Sequence, residues 1–135
     1  MSFSASFEQE IISLAKQIAW NNRETLSKDW ADPNTPELQP VGALEQKFNA
    51  ELLELRLADE PWDELPDVCY YAVCLNYYGS TLALEYILTH VPELFDVSLA
   101  QIEAGTLAKY RIRASGIPKD IMTERAAILA AVANA

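Results

Sequence analysis

Apolar residues recur at three- and four-residue spacing through most of the chain, and the stripes they draw predict helices rather than strands. Phe7, Ile11, Leu14 and Ile18 mark a first helix over residues 6–22, with Ser6 at its N-cap. Leu44, Phe48, Leu52 and Leu55 form the buried stripe of a second over 41–58, while Lys47, Glu51 and Glu54 lie along the opposed edge. A third, over 64–78, is apolar on nearly every side, with Val68, Ala72 and Leu75 on one face, Cys69 and Val73 on another, and Gly79 closing it. Such a helix is either central to its fold or shared between subunits. Ser80 is placed to cap a fourth helix over 81–89, carrying Leu82, Leu84, Ile87 and Leu88, which His90-Val91-Pro92 should break. Ser98 and Gln101 read as a capping box for a fifth over 98–114, closed by Gly116 and Pro118. A last, Ala-rich helix over 120–133 is expected to turn Met122, Ala126 and Leu129 inward. The pattern predicts an all-α bundle of about five to six helices in a single domain, 1–135.

Composition narrows the partners. Half of the 135 residues are apolar, enough for a sizeable core, and only four are glycine. A net charge of −10 argues against a nucleic-acid polymer, because no excess of cations is available to displace its counterions. It leaves room for a nucleotide delivered with its metal. Cys69 and Cys74, five apart in one helix, point to different faces and have too few ligands around them for zinc; they read as small core residues in a reducing cytosol. His90 is the sole histidine, so one chain assembles no histidine-based metal site or catalytic triad. The opening residues have no basic stretch and no long apolar run, so a cytoplasmic protein without a membrane partner is expected.

The chemistry concentrates between Lys47 and Asp67. Glu51/Glu54 and Glu64/Asp67 are each spaced i, i+3, which puts both members of a pair on one helical face. The residues between them read as a turn, with Pro61 ending one helix, Asp63 able to cap the next, and Pro66 tolerated in its first turn. Both pairs are centred on Asp59, so an antiparallel hairpin would set Glu54 level with Glu64 and Glu51 with Asp67. Four converging carboxylates without a cation would repel or take up protons. Their oxygens suit a hard divalent ion such as Mg²⁺ or Mn²⁺.

An E-x-x-E pair, a short connection and an E-x-x-D pair resemble the signature of the MazG-like all-α nucleotide pyrophosphohydrolases, over roughly residues 40–115. That group includes MazG proper, dimeric dUTPases and phosphoribosyl-ATP pyrophosphohydrolases. The resemblance makes Glu51, Glu54, Glu64 and Asp67 the metal-binding and catalytic carboxylates of a central helical hairpin. It also gives Lys47 the place of a basic residue common among members, whereas Ala50 stands where many carry a further Glu. By the same resemblance the segment 27–40, with its three prolines, lies near the nucleotide, making Trp30 and Asn34 base-contact candidates; Asn76 is a further substrate candidate. The A-K-Y-R-I-R run resembles the family's basic triphosphate segment, which makes Lys109, Arg111 and Arg113 phosphate contacts; cations at a helix C-terminus explain the same run structurally.

The expected activity is therefore hydrolysis of a nucleoside triphosphate to monophosphate and pyrophosphate with Mg²⁺ or Mn²⁺, in a homodimer or homotetramer. Three other outcomes fit the same residues. One is a nucleotide-binding but inactive regulatory member of the fold, another a helical protein–protein interaction module using the tyrosine-rich third helix. The third is a phosphoribosyl-ATP pyrophosphohydrolase.

Overall fold

A computed structural model describes residues 1–24 and 38–135, and the described chain is all-α. Six α-helices follow in order: α1 (Ala5–Asn21), α2 (Val41–Leu57), α3 (Leu65–Tyr77), α4 (Leu82–Phe95), α5 (Leu99–Ala114) and α6 (Ile121–Ala133), with a single 3₁₀ turn at Pro61–Asp63 between α2 and α3. Trp30, Asn34 and most of the proline-containing segment fall outside the described residues.

The centre is α3. Leu65, Pro66, Val68, Cys69, Tyr70, Ala72, Val73, Cys74 and Leu75 are all buried, because α1, α2, α4 and α5 all pack against it. The all-round apolar pattern is thus met by neighbours within the chain. Both cysteines are free and buried, and burial pushes each thiol up to about 12. The helix closes on Gly79, whose φ of +89° favours a residue without a Cβ. The Gly79 N–H donates to the Asn76 carbonyl at 2.9 Å and the Ser80 N–H to that of Leu75 at 3.1 Å, the paired bonds of a Schellman end.

Several helix ends differ from the expectation. Ser4, not Ser6, caps α1: its Oγ accepts the Phe7 N–H at 3.2 Å. Phe3 and Phe7, ring centroids 5.0 Å apart and both buried, draw the helix start two residues earlier. At α4, Thr81 occupies the cap position with no side-chain bond, so Ser80 does not act there. The helix also runs through Pro92 to Phe95 instead of breaking at His90. Proline removes one amide donor, but Val91 is fully buried and holds the last turn in the core, offsetting that loss. Asp96, at φ 52°, then ends it in the left-handed conformation.

The last two helices pack closely. Gly105 of α5 lets α6 approach until an added Cβ would stand 3.2 Å from both Trp62 and Val132. The face that α6 presents inward is Glu124, Ile128 and Val132, whereas Met122, Ala126 and Leu129 are exposed. The expectation chose the wrong stripe because an Ala-rich helix is apolar all round. The ion pair from half-buried Arg113 to buried Glu124 sets its rotation. The capping box at the start of α5 is present in both directions: the Ser98 Oγ accepts the Gln101 N–H at 3.1 Å and the Gln101 Oε1 accepts the Ser98 N–H at 3.0 Å. No helix among the described residues is long and apolar enough to cross a membrane.

Candidate functional site

The α2–α3 hairpin sets the carboxylates. Leu55 and Leu65, both nearly or fully buried, anchor the two helices on either side of the turn. Within the turn the Glu60 carboxylate accepts the Trp62 N–H at 3.4 Å, and Trp62 is buried. Asp63 does not cap α3: its Oδ1 accepts from the Arg125 Nε at 2.8 Å, and Glu64 takes the cap position without a side-chain bond. Pro66 falls in the first turn, where a missing N–H leaves no bond unmade.

Glu51, Glu54 and Glu64 each offer a carboxylate oxygen, and these oxygens lie within 4.8 Å of one another. No ammonium or guanidinium pairs with any of the three among the described residues, and one oxygen of Glu51, Oε2, is buried without a hydrogen-bond partner. A buried carboxylate oxygen left bare is costly unless it holds a proton or a cation. Burial, the charge of Asp67 and contact with Glu54 accordingly raise the Glu51 carboxyl to about 8. Burial and Glu54 raise Glu64 as well. Three oxygen donors from α2 and the residue that starts α3 could hold a hard cation.

Asp67 is engaged differently. Its Oδ1 accepts from Lys109 Nζ at 2.7 Å and from the Tyr110 hydroxyl at 2.6 Å. Lys109 and Asp67 are only 7 % and 15 % exposed, a pair largely withdrawn from water. Tyr110 in turn stacks face to face on Tyr70, centroids 3.8 Å apart. Asp67 therefore joins α3 to α5 while lining the same cavity as the three glutamates.

That cavity measures about 490 Å³. Its α2–α3 side carries Glu51, Glu54, Asp63, Glu64 and Asp67. α5, α6 and the residues joining the two helices supply Lys109, Arg113, Lys119 and Arg125, together with Glu124, Ile121 and Ile128. Arg113 grips Glu124 through both fork nitrogens, Nε–Oε2 at 2.6 Å and Nη2–Oε1 at 3.3 Å. Of the residues singled out in the sequence, six meet here: Glu51, Glu54, Glu64, Asp67, Lys109 and Arg113.

Three others do not. Arg111 points away and pairs with Glu10 at 2.6 Å on the exposed side of α1. Asn76 finds a partner in Glu8, Nδ2–Oε1 3.1 Å, and lines a separate shallow groove between α1 and α3. Lys47 is exposed and outside the cavity lining. Lys119, Glu124 and Arg125 were missed by the sequence. The signal for two of them was present, since Glu124 and Arg125 are the only charged residues inside an otherwise apolar helix.

Searches of protein-family models, curated proteins and solved structures find no match to this chain. The resemblance to the MazG-like group therefore rests on the sequence motifs alone.

Proposed function

We propose that the protein is a Mg²⁺-dependent nucleoside triphosphate pyrophosphohydrolase of the MazG-like kind, with Mn²⁺ as an alternative ion. The observation that carries the proposal is the three-glutamate cluster, with its bare buried oxygen, in a cavity that four cations also line. Glu51, Glu54 and Glu64 would hold the ion. Once bound, a divalent ion offsets charge on the phosphates and lowers the pKa of a coordinated water. The attacking water oxygen bonds to the α-phosphorus, and the bridging oxygen departs with pyrophosphate. The water's proton passes to a carboxylate of the cluster.

The chain's other residues have definable parts. Asp67, through its paired bonds, keeps the Lys109 ammonium at the cavity wall, where it can face phosphate oxygens. Arg113 faces the same space while its fork is fixed by Glu124. A small nucleotide suits an acidic protein better than a nucleic-acid polymer does. In this reading the protein works in the cytoplasm as a homodimer or homotetramer. Exposed Leu53 and Leu57 on α2, with Ile121, Met122 and Leu129 on α6, supply apolar surface for such contacts.

The test is turnover of a panel of nucleoside triphosphates by the parent protein and by Glu54→Gln and Glu64→Gln. Metal-dependent pyrophosphate release that either substitution lowers at least a hundredfold supports the proposal. Equal release from parent and variants overturns it.

A further inference from the structure

The cavity's charges divide unevenly once its ion pairs are set aside. Six carboxylates line it, Glu51, Glu54, Asp63, Glu64, Asp67 and Glu124, against four cations, Lys109, Arg113, Lys119 and Arg125, for a formal balance of −2. Lys109 is committed to Asp67 in a largely buried pair, and half-buried Arg113 is gripped by buried Glu124 through both fork nitrogens. Arg125 pairs with Asp63 in the open, 45 % and 32 % exposed. An exposed pair of this kind is worth little, so its guanidinium is available to a stronger anion at small cost. Lys119 is exposed, and no ion pair holds it among the described residues. The two cations least committed, Lys119 and Arg125, therefore come from α6 and the residues leading into it. The three uncommitted carboxylates come from α2 and the residue that starts α3.

We propose that Lys119 and Arg125 add a second phosphate-chain contact beside Lys109 and Arg113, engaging a polyphosphate only after a divalent ion has offset the glutamates. This deepens the pyrophosphohydrolase reading and rests on it. The order follows from charge. With a formal balance of −2 a bare polyphosphate is disfavoured, whereas one divalent ion offsets the unpaired glutamates and brings the formal sum to zero. The assignment also departs from the sequence expectation, which put Arg111 and neither Lys119 nor Arg125 on the phosphates. Arg111 belongs to the α1–α5 surface, while Lys119 and Arg125 belong to the site.

Titration calorimetry with inorganic pyrophosphate, with Mg²⁺ in excess or with chelator, tests this, and Mg²⁺ titrated alone serves as the parallel measurement. The parent should bind pyrophosphate with Mg²⁺ and bind it at least tenfold more weakly with chelator. Lys119→Ala and Arg125→Ala should each weaken pyrophosphate binding about tenfold, as expected for loss of one charge-assisted contact. Their affinity for Mg²⁺ alone should stay within twofold. Arg125→Lys should recover part of the loss, and Arg111→Ala should match the parent. Mg²⁺ binding with pyrophosphate affinity unchanged in the double alanine variant would overturn the α6 assignment alone. So would a parent that takes Mg²⁺ but no pyrophosphate. Failure of the parent to bind Mg²⁺ would overturn the assignment together with the functional reading beneath it.

Discussion

Replacing Glu51 by glutamine should make the metal-free protein more stable, although it removes a residue from the centre of the site. The Glu51 carboxyl rises from 4.5 to about 8 on folding, first through burial, then through the charge of Asp67 and contact with Glu54. A carboxyl whose pKa rises on folding leaves stability intact below 4.5 and removes it progressively as the pH climbs toward 8. Each pH unit of such a shift is about 1.4 kcal/mol when fully transmitted. Glu51 is only half-buried, however, and solvent screens much of that, leaving a penalty on the order of 1–2 kcal/mol at pH 8. Glutamine keeps the shape and removes the charge. In a domain of this size Glu51→Gln should raise the metal-free melting temperature by roughly 3–8 °C at pH 8, and by much less at pH 5. Saturating Mg²⁺ should raise the parent's melting temperature while leaving the variant's unchanged, because the ion binds only the folded cage. Thermal melts at the two pH values, with Mg²⁺ and with chelator, provide the assay. A variant less stable than the parent at pH 8 without metal, or one that Mg²⁺ still stabilises fully, would refute the reasoning.

Three further outcomes follow from the same geometry. Asp67→Ala strands the buried Lys109 ammonium and Tyr110 hydroxyl and should cost about 3 kcal/mol by urea denaturation; a loss below about 1 kcal/mol would place the pair in water. Mg²⁺ binding must displace the proton that Glu51 retains up to about 8, so affinity should climb as pH rises toward 8, and calorimetry in buffers of different ionisation enthalpy should register proton release; a pH-independent affinity would contradict it. Gly105→Leu forces a side chain into the 3.2 Å gap against Trp62 and Val132 and should destabilise by about 1–3 kcal/mol, with Trp62 fluorescence reporting the displacement of α6.

The helical class and the hairpin were legible because they depend on local spacing. Glu51, Glu54 and Glu64 converge as an i, i+3 pattern mirrored about a turn predicts, and α3 is central as its unbroken apolar surface implies. Contacts far apart in sequence were not legible. Nothing near Asp67 announces that Lys109 and Tyr110, more than forty residues on, will occupy one of its oxygens. Three cations of one short run also diverge: Lys109 and Arg113, four apart, face the cavity, while Arg111 lies two residues from each and turns to Glu10. The rotation of α6 escaped for a related reason. Its apolar residues surround the helix, so only the partner of Glu124 sets the inward face, and that partner is Arg113. Pro92 misled in the opposite direction, since a local helix breaker yielded to the buried Val91 beside it.

The most direct test of the central claim is phosphorus NMR of a nucleoside triphosphate incubated with the protein, first with Mg²⁺ and then with chelator. The account predicts monophosphate and pyrophosphate resonances that grow together with Mg²⁺, no orthophosphate at early times, and neither product once the ion is removed. An unchanged triphosphate spectrum across the nucleotide panel with Mg²⁺ and with Mn²⁺, or products that persist with chelator, would contradict it.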